Sequence, residues 1–119
     1  VSINGAASQQ DARIAAHAVV SSNLVKCSLA GEDPYWGRVL SEVGASGAEC
    51  DQNIVSIAYG GIPVCRNGVG INFDATKVSE HMQGREIFIE VDLNLGSGSA
   101  KAFGCDLTHG YIDENMRTS

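Results

Sequence analysis

Three histidines and four cysteines are the side chains of this 119-residue chain best suited to general-base, nucleophilic or metal chemistry. His17, His81 and His109 share no metal-ligand spacing, and each reads as a surface or partly packed imidazole. Cys27, Cys50, Cys65 and Cys105 lie 15 or more positions apart without a CxxC, so zinc-ribbon and thioredoxin-like sites lack their basic unit. Their even number would allow two disulfides. The expectation is instead four reduced, mostly buried thiols, since no secretion signal is seen. A Cys–His nucleophilic pair would have to meet in space, and nothing local favours Cys27 or Cys105. No metal and no cofactor is expected.

The remaining polar features carry weaker chemical signals. Gly96-Ser-Gly-Ser-Ala-Lys101 lacks the four-residue spacing and GK[ST] ending of a phosphate loop and precedes a strand, so a flexible hairpin loop is expected. Arg38 beside Trp36 could grip a carboxylate; pinning the helix start to Glu32 or a neighbouring loop is at least as good a reading. The final stretch from Asp106 to Ser119 is dense in hydrogen-bonding side chains. A frayed tail is the plain reading. The sharper one is docking against another surface, presenting Asn115 and the terminal hydroxyls. An amide both donates and accepts, which suits a zwitterionic amino-acid ligand.

Local signals outline the elements that must position these groups. Ser8 opens a capping-box-like start, followed by Ile14, Ala15, Ala18 and Val19 on one helix face. Leu24 to Leu29 suits a short helix or a buried strand. Asp33 as cap and Pro34 as first residue then predict a helix to Val43, with an apolar stripe of Trp36, Val39, Leu40 and Val43. Gly44 is expected to stop it in the left-handed region, and Gly37 to have something packed on its bare backbone.

Ile54 to Tyr59 and Ile62 to Arg66 read as a hairpin turned by Gly60-Gly61, with Pro63 at an edge or bulge. Asn67-Gly68 marks another tight turn. Asp74 caps a helix through Val78 and Met82 that Gly84 stops. Ile87, Ile89, Val91 and Leu93 alternate with polar neighbours as one strand, and Ala100 to Leu107 is expected to return antiparallel to it, with Lys101 facing an acidic residue. The sum is an α+β fold with a largely antiparallel or mixed sheet and about three helices, one domain over residues 1–119.

Composition excludes some partners. The chain is 44% hydrophobic with a net charge of -6, and its eight basic residues are scattered. Neither nucleic acid nor an anionic membrane finds a clustered basic surface. No stretch approaches the ~20 apolar residues of a membrane span. The opening Val1-Ser-Ile-Asn-Gly5 lacks a signal-peptide pattern and alternates like a strand entered partway. A trimmed chain and one piece of a cleaved polypeptide fit it equally.

LVKCSLAGEDPYWGRVLSEVGASG, residues 24–47, resembles the LVKTAxxGxDPNWGRxLAAVGxSG signature of the ornithine acetyltransferase/glutamate N-acetyltransferase family. VDLNLGSGSAKAFGCDLTHGY, from Val91 to Tyr111, is similar to that family's closing VDLGxGxGxAxAxGCDLTxxY segment. The likeness runs in order along nearly the whole chain. It implies an N-terminal-nucleophile-type acyltransferase whose precursor cuts itself into α and β chains, with this sequence the C-terminal part of the β chain.

Acetyl would pass from N2-acetylornithine to the new N-terminal Thr of the β chain and then to glutamate. That Thr and the oxyanion-hole residues lie outside this chain, so no catalytic residue is expected here. The implied partners are the companion α chain and the remainder of the β chain, in a cytoplasmic heteromeric oligomer. The family brings an Asn and a terminal Thr or Ser to the substrate. Asn115 matches the first. Ser119 is the choice for the second, with Thr118 the alternative, because the spacing is one residue shorter than usual.

Cys27 for Thr, Tyr35 for Asn and HGYIDEN for the commoner YDYVRIN depart from the family pattern. The last is similar to paralogues of clavam antibiotic clusters, which would change the pathway from arginine biosynthesis and leave the chemistry. The competing reading is a non-catalytic α+β module that stabilises an assembly.

Overall fold

The computed structural model describes residues 1–105. Among them are four α-helices and one six-stranded mixed sheet. Strand β1 (Ser2–Ala6) leads into helix α1 (Gln9–Val20), α2 (Asn23–Ala30) and α3 (Trp36–Ala45). A 3-10 turn at Gln52–Ile54 precedes the meander β2 (Ser56–Tyr59), β3 (Ile62–Arg66) and β4 (Val69–Gly70). Helix α4 (Ala75–Met82), β5 (Ile89–Asp92) and β6 (Gly98–Lys101) complete it. The spatial order is β4-β3-β2-β5-β1-β6, with β1 parallel to β5 and the other pairs antiparallel.

The register lines up the core. Cys65, Ile57, Val91, Ile3 and Ala100 are consecutive partners across five strands, and the first four are buried. Tyr59, Ile89 and Leu93 share the buried face, while Ser56, Ala58 and Glu90 alternate with them and are half-buried. The strand expected from the 87–93 alternation therefore exists, as a central strand with one packed face. Helix α1 lies on β1 and β6 and packs against α3, burying Ala12, Ala15, Ala16 and Val19.

Several local signals act as read. The Ser8 hydroxyl accepts from the Asp11 N–H at 3.0 Å, and the Asp74 carboxylate accepts from Thr76 and Lys77 N–H at the start of α4. Asn67 and Gly68 both take positive φ, 52° and 73°, which a tight two-residue turn between twisted strands requires. The β2–β3 register shifts between Ile57 and Ala58, opposite Cys65 and Pro63, so Pro63 sits beside a bulge. The ambiguous run at 24–29 is helix α2, opened by Ser22, whose hydroxyl accepts from the Val25 N–H at 3.2 Å.

Other expectations are corrected. Helix α3 starts at Trp36, not Pro34, and Asp33 makes no side-chain cap. The chain is still turning there: the Asp33 N–H reaches back to the Ser28 carbonyl, and the Tyr35 and Trp36 N–H groups bond only two residues back, to Asp33 and Pro34. Gly44 lies inside α3, against Gln52, and the left-handed residue is Gly47, at φ 95°. Gly37 is exposed, with only an ordinary 3.8 Å contact to Tyr35. The α+β class with a mixed sheet stands as read, with four α-helices where about three were expected.

The largest correction concerns β6. It pairs with β1 rather than with β5, and Lys101 stands opposite Ser2 rather than an acidic residue. Chain order made 87–93 and 100–107 look like a hairpin, but β1 inserts between them. Nor is Gly96–Lys101 a loose loop, since Gly98 to Lys101 is the strand itself. A Cβ on Gly96 would lie 2.8 Å from the Ala6 carbonyl oxygen, and one on Gly98 would overlap the Ser8 carbonyl. The glycines permit close backbone approach.

Candidate functional site

The groups expected to face substrate, Asn115, Ser119 and Thr118, lie outside the described residues, as does His109. What the structure places is the base from which they depart. Strand β6 runs along β1, the N–H of Ala102 reaches the Val1 carbonyl at 2.9 Å, and the chain then passes through Phe103, Gly104 and Cys105.

The thiols are all free. Cys65 is buried, Cys50 half-buried, and Cys27 and Cys105 are exposed, so "mostly buried" holds for half of them at best. Their positions explain this: Cys65 sits in the central sheet row, whereas Cys105 lies beyond the last strand. Burial pushes the Cys65 thiol up, with partial relief from the Gly68 backbone. Burial also raises Cys50, and the Asp51 carboxylate adds to it. Raised thiols are the opposite of activated nucleophiles.

Of the two histidines among the described residues, only His81 is engaged structurally. His17 is exposed on α1, with only the Ser21 hydroxyl at 3.4 Å. Nε2 of His81 accepts from the Phe88 N–H at 2.9 Å, and its ring stacks on Phe88 with centroids 5.9 Å apart. A Cβ on Gly60 would lie 2.5 Å from that ring, and Gly60 takes φ 59°. The Gly60 N–H donates to the Phe88 carbonyl at 2.8 Å, and the Gly61 N–H to the Glu90 carboxylate at 2.8 Å. So α4, the β2–β3 turn and the start of β5 interlock around one imidazole. The Gly60-Gly61 pair was the one sequence signal for this, and it reads as a turn only.

Among the described residues Arg38 forms no ion pair with Glu32; it pairs within α3 with Glu42 at 3.6 Å. Glu32 instead accepts from Ser79 of α4 and from Gln83 at its C-terminal cap, both at 3.4 Å. The Tyr59 hydroxyl is fully buried without a hydrogen-bond partner among the described residues. Burial first, and the Asp33 charge second, push its ionisation far above the usual range. Among the described residues no group of three or more His, Cys, Asp or Glu is placed to hold a metal, and no helix is long and apolar enough to cross a membrane.

Sequence reading missed an apolar concavity that adjoins a second, more polar one of similar size. A groove of about 400 Å³ opens where β5 begins and β6 ends. Val25, Leu29, Ile87, Phe88 and Phe103 supply its apolar lining, and Lys26, Arg85 and Lys101 are its cationic members. It can bury an apolar group beside a negative one.

Comparison with known proteins supplies what this geometry alone does not. The family model described as the ArgJ family matches residues 1–118. The "Arginine biosynthesis bifunctional protein ArgJ" of Zymomonas mobilis subsp. mobilis is 47% identical over 116 residues, covering 97% of this chain and 28% of that protein. The protein of the same name from Gluconobacter oxydans is also 47% identical over 116 residues, covering 97% and 27%. The crystal structure of the arginine biosynthesis bifunctional protein argJ from Bacillus halodurans superposes with a TM-score of 0.92 at 34% identity, over 98% of this chain and 55% of that one. The chain thus spans little more than a quarter of the length of these curated relatives. A match of this extent, in both sequence and fold, identifies the chain as a member of the ArgJ family.

Proposed function

We propose that this chain is one α+β unit of a larger, self-cleaving heteromeric acetyltransferase, and that it supplies scaffold and a substrate-facing end rather than the nucleophile. The Thr hydroxyl of a companion segment attacks the acetyl carbonyl of N2-acetylornithine. The C–N bond breaks, ornithine leaves with the proton on its amine, and an acetyl-Thr ester remains. The amine of glutamate then attacks that ester, forming N-acetylglutamate and returning the proton to the Thr oxygen. A place in arginine biosynthesis agrees with the names of the relatives; the direction of transfer and a cytoplasmic setting are part of the same proposal.

The observation that carries this reading is the family match through residue 118, which includes Asn115 and Thr118. The described residues agree with a supporting role: both resolved thiol shifts point away from reactivity, and His81 is engaged with backbone. The Asn115 amide would accept from the ammonium and donate to the carboxylate of the bound amino acid, with Ser119, or alternatively Thr118, adding a hydroxyl.

Asn115→Ala in the complete complex tests it. Losing hydrogen bonds to a charged ligand should raise KM for acetylornithine roughly tenfold while the complex assembles normally. Unchanged kinetics would leave the tail a structural element and favour the non-catalytic module.

A further inference from the structure

We infer that the groove between the start of β5 and the end of β6 is the seat of the companion part of the enzyme, occupied by an apolar segment edged with carboxylates; this deepens the function proposed above and rests on it. Phe103 is 89% exposed and Phe88 51% exposed. An isolated exposed apolar residue needs no explanation, but two exposed phenyl rings line one groove together with the half-buried Leu29 and Ile87. Buried aromatic anchors in a pocket are what a protein interface concentrates its affinity on.

Charge specifies the occupant. On a chain of net charge -6, Lys26, Arg85 and Lys101 converge on this groove, with Glu86 the one carboxylate among its lining residues. An acidic edge on the partner complements that reversal. A second copy of this chain is disfavoured, because a two-fold contact through the same groove would set its cations against themselves.

Length specifies where the occupant comes from. Each match leaves most of the relative's chain outside the shared stretch. Gly104 and Cys105 line the groove, and Asn115 follows Cys105 by ten residues. Ten residues reach at most about 35 Å. The Asn115 backbone therefore lies within that reach of Cys105.

The test uses the complete complex of this chain with its companion chains, reading association by analytical ultracentrifugation and acetyl transfer in parallel. Phe103→Asp should weaken association roughly tenfold or more, Phe103→Leu should retain it, and Arg85→Glu should weaken it and flatten its dependence on salt. Val69→Asp is the control: Val69 is 65% exposed on β4, at the opposite edge of the sheet, and its variant should assemble normally. Wild-type association by Phe103→Asp, or an equal loss in Val69→Asp, overturns the assignment and leaves the functional reading intact. A wild-type complex that assembles through the groove but transfers no acetyl does the reverse.

Discussion

Along a single strand, β6, the molecule changes from a finished surface to an unfinished one. At its start, Gly98 lies so close to the Ser8 carbonyl that no side chain fits, and the Ser99 backbone exchanges hydrogen bonds with the Gln9 side chain at the head of α1. Past its end, Phe103 is almost wholly exposed in the groove that Phe88 also lines. Both regions belong to one sheet and share neighbours on β1. The first is satisfied by this chain's own backbone, and the second is satisfied by nothing among the described residues. Such an aromatic surface beside three cations is what the companion segment proposed above would cover.

The contrast can be broken at the core first. Ile3 is fully buried at the centre of the cross-strand row, so Ile3→Ala should cost about 3–4 kcal/mol in urea denaturation, from lost transfer energy plus a cavity. Next comes the glycine corner. Gly98→Ala forces β6 off β1 and the Ser8 turn, and a loss of about 2 kcal/mol is expected by the same measurement.

A third expectation concerns pH. The raised Cys50 and Cys65 thiols hold their protons more tightly in the folded chain than in the unfolded one. Their contribution to stability is complete below the ordinary thiol value of 9.0 and is lost as pH climbs above it, with Tyr59 acting the same way above 10.0. Thermal unfolding should therefore show no thiol-dependent loss at neutral pH and a decline above about pH 9. Cys65→Ser should shallow that decline. Smallest of all, Phe103→Ala in this chain alone should change stability by less than about 0.5 kcal/mol, because the ring buries almost nothing. A large loss there would mean that the groove is already filled by the chain itself.

Sequence reading recovered what local chemistry determines. The Ser8 and Asp74 caps, the Asn67-Gly68 turn, the Pro63 bulge and the alternation through Ile89, Val91 and Leu93 each depend on neighbours a few positions away. It failed where distant segments decide. Nothing within 87–107 announces that β1, some ninety residues earlier, inserts between β5 and β6. Asp33 and Pro34 carry good helix-start chemistry, but the contact of Asp33 with Ser28 delays the helix.

The candidate site divides the same way. The family signature was legible because it consists of two contiguous strings, residues 24–47 and 91–111, and the residues expected to meet substrate follow the second. The groove draws on α1, α2, β1, β5 and the end of β6, so no window of sequence contains it. Phe88 in particular sits at a position that the alternation assigns to the wet face, and its exposure there fits that pattern.

Acetyl transfer from N2-acetylornithine to glutamate, assayed with the 119-residue chain alone and again after its companion chains are added, bears most directly on the division of labour. No turnover by the chain alone and turnover in the complete complex is the expected result. Transfer by the isolated chain would contradict it, placing the attacking group among these residues.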